Sequence, residues 1–279
     1  MSMMPYEGSH EFQYQEPKPV TRQQETKSLY QRIKGNAEPP SILPASTIMP
    51  TGIALLDDSL GGGLPSSSLV YFSANPRSMS EVFLYQFSQA RKTYYFTTSR
   101  RPHYIQRDIT NLGFDPSNII FVDVYSEYYF TATGDMVNNV GNEFADSKIV
   151  EFTEYNLNNI LLDSKNEEVN IVFDTFSFYT NLNVNLGLIK RLINVLYEAT
   201  KEVSGITYLY GLKGSIPEQV ENEVFNSSDV IFDVTMDCAS DKIINKLSIP
   251  KIRGMIPSTD VIKFNVARGV SIDTSRDIV

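Results

Sequence analysis

Along the chain the hydrophobic pattern changes period repeatedly, and the changes outline strands alternating with helices. Short, mainly apolar runs at Leu69–Ser73, Tyr94–Thr98, Ile119–Val124, Val169–Phe173, Ile206–Leu212 and Val230–Val234 read as buried strands. Between them apolar residues return at helical spacing. Val82, Phe83, Tyr85, Phe87 and Ala90 form one such set, and Ile105 with Ile109 another. Pro102 suits the first turn of that second helix, and Gly113 suits its end. Further helices are expected from near Ile149 to Leu162, over Leu186–Val203 and around Pro217–Phe225. Alternation of this kind predicts an α/β fold with a mainly parallel central sheet flanked by helices. The last part differs: Ile243–Ile252, Val261–Val266 and Val270–Ile272, with Gly269 in a turn, predict a β-hairpin region. Tyr125 to about Asp146 follows neither period and reads as an irregular, aromatic-rich connection.

Residues 1–46 stand apart. They have little apolar periodicity, and Lys18, Arg22, Lys27, Arg32 and Lys34 nearly cancel Glu7, Glu11, Glu16, Glu25 and Glu38. A disordered or weakly structured tail is expected there, with a short helix over Thr26–Ile33, followed by one domain at 47–279. No internal repeat divides that domain. The 42% hydrophobic content supplies a full core, and the net charge of −9 argues against an unaided grip on nucleic acid, although a local basic patch is compatible with it. Cys238 is the single cysteine, so no intramolecular disulfide forms. With no signal peptide and no apolar run long enough for a membrane helix, a soluble cytoplasmic protein is expected. His10 and His103 lack ligand-spaced partners, so no metal site is expected; Asp237 and Asp241 near Cys238 disfavour a thiolate.

The organising stretch is Thr51–Phe87. A turn-rich entry (Gly61, Gly62, Gly63, Pro65) feeds a strand, a loop and a helix, which is where a phosphate-binding loop would sit. Such a loop needs glycines so that backbone N–H groups wrap the phosphate, a lysine for the β/γ-phosphates and a hydroxyl for Mg²⁺. Laid on this frame, the pattern falls on Ala74, Asn75, Pro76, Arg77, Ser78, Met79, Ser80 and Glu81. Ala74 and Met79 take the glycine positions, Ser80 the lysine position and Glu81 the hydroxyl position. The frame is present without its chemistry.

TGIALLDDSLGGGLP followed by SLVYFSA resembles the opening of RecA-like ATPases of the KaiC type, including KaiC-like and RadA-like paralogues. With a second match near the C-terminus, the resemblance covers about residues 47–275. It implies a RecA-type α/β core of the P-loop NTPase kind, assembly into rings or filaments, and nucleotide held between subunits.

Within that resemblance other positions acquire roles. Asp174 ends an apolar strand as a Walker B acid does, and in the family that acid helps hold Mg²⁺. The family's second core strand ends in acids that activate water; here Ser99 and Arg100 stand in their place, so the general base is missing. Glu81 would occupy the helix end that a phosphate would take, and an internal pairing with Arg77 or Arg100 is expected. Lys251 and Arg253 resemble the family's K-x-R-G motif, whose cations reach a neighbour's nucleotide. They are therefore the candidate trans-acting pair, and a charged strand edge is the competing reading.

The expectation is a non-catalytic, nucleotide-independent pseudo-ATPase with no cofactor. It would serve as a regulatory or structural subunit beside a RecA/KaiC-like ATPase or copies of itself, off the membrane and off nucleic acid. One alternative is an ATPase binding ATP–Mg²⁺ through an atypical loop. Another is a recombination-mediator paralogue on DNA, which the acidic and Asn-rich stretches Phe176–Asn185 and Lys213–Asp229 disfavour.

Overall fold

The computed structural model describes residues 47–165, 167–239, 242–257 and 260–273. The expectations for residues 1–46 lie outside the described residues. The entry motif has a physical explanation. A small ladder joins β1 (Ile48–Met49) to β2 (Leu64–Pro65), and α1 (Ala54–Ser59) lies between them. The Asp57 carboxylate accepts the Thr51 N–H at 2.7 Å and the Gly52 N–H at 3.3 Å, which ties the start of the motif to its acid. Gly63 has φ +133°, and a Cβ there would lie 2.0 Å from the Met49 carbonyl oxygen, so only glycine fits.

Nine strands form one mixed sheet in the order β11-β10-β9-β8-β3-β7-β6-β4-β5. Its parallel part holds β3 (Ser68–Ala74), β4 (Thr93–Thr97), β5 (Ile119–Asp123), β6 (Asn170–Asp174), β7 (Ile206–Leu212) and β8 (Val230–Ala239). The antiparallel extension is β9 (Lys242–Ile252), β10 (Ile262–Ala267) and β11 (Gly269–Asp273). Strand residues alternate between two faces, and both faces are buried. On β3, Val70, Phe72 and Ala74 join a core with α2 (Glu81–Phe87) and α3 (Pro102–Asn111). Leu69 and Tyr71 point the other way, towards α5 (Glu143–Asp163), α7 (Leu186–Glu202) and α8 (Glu218–Ser227).

The stretch expected to be irregular contains ordered helix. The Asp123 side chain caps α4 (Val124–Tyr129) by accepting the Ser126 N–H, and Asn142 caps α5 by accepting the Ala145 N–H. Helix α5 thus begins six residues before the expected Ile149, because Asn142 caps it there and its first turns, with Phe144 exposed and Asp146 buried, show no apolar period. A one-turn helix, α6 (Ser177–Thr180), follows β6. Among the described residues no helix is long and apolar enough to cross a membrane.

Candidate functional site

The carboxyl ends of β3, β7, β6 and β4 converge on the loop between β3 and α2. That loop is closed on itself: the Ser78 N–H and hydroxyl both donate to the Asn75 carbonyl, at 3.0 and 2.6 Å. The Asn75 side chain accepts the Arg77 N–H at 2.9 Å, and the Asn75 N–H donates to the Val234 carbonyl at 3.2 Å. Pro76 and Arg77 are exposed, and Ala74 is fully buried at the strand end. Met79 turns through φ +50° with its side chain 54% exposed.

Ser80, in the lysine position of the pattern, is 0% exposed. Its Oγ lies 2.8 Å from the Ser78 Oγ and 3.2 Å from the Tyr210 hydroxyl. Burial raises the Tyr210 phenol, which stays neutral and able to share that hydrogen bond. Glu81 opens α2, half-buried.

Asp174 sits beneath this loop at the end of β6, 3% exposed. The Tyr95 hydroxyl donates to it at 2.9 Å. Burial pushes the Asp174 carboxyl up to about 6, against the opposing pull of the Tyr95 hydrogen bond and of Arg100, while Glu81 adds to the rise. Arg100 does not pair with Glu81 as expected. It donates to Asp108 at 2.5 Å and to the Tyr85 hydroxyl at 3.0 Å. Burial works against its charge, and Tyr85, Asp174 and Asp108 outweigh that penalty. Arg100 lies eight residues before Asp108, so α3 presents the nearer carboxylate. Among the described residues no ion pair joins Glu81 to Arg77 or Arg100. Thr98 fastens the strand ends together: its N–H donates to the Asp174 carbonyl at 2.9 Å, and its hydroxyl accepts the Thr175 N–H at 2.6 Å.

The structure thus brings Ser78, Ser80, Glu81, Asp174 and Arg100 into one neighbourhood and adds Tyr85, Tyr95, Tyr210 and Asp108. Tyr95 had a signal in the sequence: it shares a strand face with Thr97, two residues from the strand end. Tyr210 had none, since its partner lies 130 residues away. Among the described residues no three His, Cys, Asp or Glu side chains gather to hold a metal.

Lys251 and Arg253 are elsewhere and hold to a neighbouring helix of their own chain. The Lys251 ammonium donates to the Phe225 carbonyl at 2.6 Å, and Arg253 donates to the Asn226 carbonyl at 2.7 Å. Both acceptors belong to the last turn of α8, whose unpaired carbonyls attract cations. Arg253 also lies 3.7 Å from Asp229, and burial then the Arg253 charge hold the Lys251 ammonium below its ordinary range. The two cations do share a direction, as two-residue spacing predicts; what lies there is their own helix end.

A mixed sheet between helices, with a loop at the carboxyl edge of its first parallel strand, defines an α/β protein resembling the RecA/KaiC-like P-loop NTPases. Flagellar accessory protein FlaH from Methanocaldococcus jannaschii matches with TM-score 0.62 and 15% identity, over 83% of this chain and 100% of its own. A KaiC-like protein from Pyrococcus horikoshii OT3 matches with TM-score 0.61 and 14% identity, over 82% and 99%. At such identities the likeness concerns the fold. By sequence the chain belongs to the family of unknown function DUF7125, whose model matches residues 48–279. No curated protein matches it.

Proposed function

We propose that the chain is a non-catalytic subunit on a KaiC/RecA-like frame, a pseudo-ATPase that works structurally or as a regulator beside an ATPase of that fold or copies of itself. The observation carrying this reading is Ser80. The side chain where a phosphate-binding lysine would reach outward is buried and hydrogen-bonded to Ser78 and Tyr210. Met79 adds a side chain where backbone would have to meet phosphate, and Glu81 adds negative charge at the helix start. Asp174 is covered by Tyr95 rather than facing a ligand. These residues do not fit ATP–Mg²⁺.

The deciding measurement is the melting temperature of the full chain with and without ATP–Mg²⁺. Ligand at about 100 times its dissociation constant would stabilise the native state by about 2.7 kcal/mol, a shift of several degrees. No shift is expected; a clear rise favours the atypical-loop ATPase instead. Supply of Lys251 and Arg253 to a partner's nucleotide belongs to the same reading, and it requires their release from the end of α8. In a mixed assembly with a RecA/KaiC-like ATPase, Lys251→Ala/Arg253→Ala should then slow the partner's hydrolysis. Equal rates at equal complex formation leave the pair as a helix clamp.

A further inference from the structure

The surface around α4 and the start of α5 is built differently from the closed loop. A cavity of about 400 Å³ opens there, lined on its apolar side by Tyr128, Val137, Phe144, Ala145 and Ile149. Beside it two large apolar side chains stand in water, Phe144 at 73% exposure and Met136 at 67%. Exposed apolar groups clustered at a concavity mark an interaction site far more often than scattered ones do.

Charge extends this surface on one side. Phe130 is bridged to Met136, the Val137 N–H donates to the Tyr129 carbonyl at 2.9 Å, and the Arg101 guanidinium lies 4.0 Å over the Phe130 ring. Among the described residues Arg101 makes no ion pair, so the ring orients the cation without neutralising it. One turn along α3, Tyr104 is 43% exposed with Arg107 5.5 Å from its centroid. Arg107 approaches Asp108 only to 3.9 Å and is 66% exposed.

From these juxtaposed features we infer that the surface takes a short acidic segment of a partner chain that carries a large aromatic or aliphatic side chain. The apolar side chain fills the cavity under Phe144, and the carboxylates of the segment meet Arg101 and Arg107. The cavity holds one or two side chains, which suits a linear segment. A short acidic segment fits better than a nucleic-acid backbone because a polyanion draws its affinity from many phosphate contacts, whereas this surface offers few cations and the chain as a whole carries −9. The inference is independent of whether the loop after β3 binds nucleotide.

The experiment titrates the full chain into a fluorescent synthetic peptide of about ten residues, Glu alternating with Phe and Tyr, at low salt. Companion probes replace Glu by Lys, replace the aromatics by Gly, or substitute a short oligothymidylate. The acidic aromatic peptide should bind, and the Lys and Gly peptides should bind at least about tenfold more weakly. Arg101→Glu/Arg107→Glu and, separately, Phe144→Ser should each weaken binding about tenfold with the melting temperature kept. All three positions are half-buried or exposed, so the fold should tolerate the changes. No binding up to about 1 mM peptide, equal binding by the variants, or tighter binding of the oligothymidylate overturns the inference.

Discussion

The carboxyl ends of β3, β4, β6 and β7 and the surface around α4 and α5 carry similar side chains to opposite ends. At the strand ends, tyrosines, serines, an aspartate and an arginine are spent on one another: Tyr95 on Asp174, Tyr210 on Ser80, Arg100 on Asp108 and Tyr85. Around α4 and α5, Arg101, Tyr104 and Phe144 keep faces in water. Position in the fold does not separate the two, since Arg100 and Arg101 are adjacent in sequence. Reach does: Arg100 meets Asp108 and Tyr85, whereas Arg101 meets a ring. The difference teaches that a familiar frame says where a site would be, and hydrogen-bond completion says whether its groups remain available.

The sharpest way to break this contrast is to restore the missing cation. Ser80→Lys places an ammonium and its long stem at a fully buried position packed against Ser78 and Tyr210. It should cost about 3–5 kcal/mol in urea unfolding and give no micromolar ATP affinity. A stable variant that binds ATP would mean the loop opens easily.

Next comes Asp174. Its folded carboxyl titrates at about 6 against 3.8 for the free group, so the folded state holds the proton more tightly. The stabilising contribution is therefore complete below about pH 4 and is lost as pH rises through 6, reaching a cost of about 3 kcal/mol at pH 7. Asp174→Asn keeps an acceptor for Tyr95 and should be more stable than the parent at pH 7, with the gap closing by pH 4. A pH-independent gap would show water at the carboxylate.

A smaller effect is expected at the end of α8. Lys251→Ala/Arg253→Ala removes two cations from its last carbonyls, at a cost of about 1–2 kcal/mol in the same assay. Smallest of all, Phe144→Ser should change stability by no more than about 0.5 kcal/mol, because its ring is already in water. A large loss there would mean that the open surface is part of the core.

Much of the frame was legible in the sequence. Ile206–Leu212 appears as expected, and β3 and β5 shift by a residue at one or both ends, because buried parallel strands write themselves as apolar runs. The start of α5 and the short α4 were hidden, since capping by Asn142 and Asp123 rather than apolar period sets their boundaries. At the candidate site, the loop and Asp174 were legible from order along the chain. Their partners were not. Tyr210 reaches Ser80 only because β7 lies beside β3, and Arg100 chooses Asp108 over Glu81 through the turn of α3.

One feature of the sheet bears on how the chain is made. Val70, inside β3, pairs with Tyr208 on one side and Val230 on the other. A ribosome adding about 5–20 residues each second therefore leaves β3 with both edges bare for about 7–30 s after it emerges. During that interval an apolar strand with unpaired N–H and C=O groups is a template for any neighbouring nascent chain. Synthesis sets the hazard: a strand buried at every residue in the finished molecule is, for a time, a sticky part of the unfinished one.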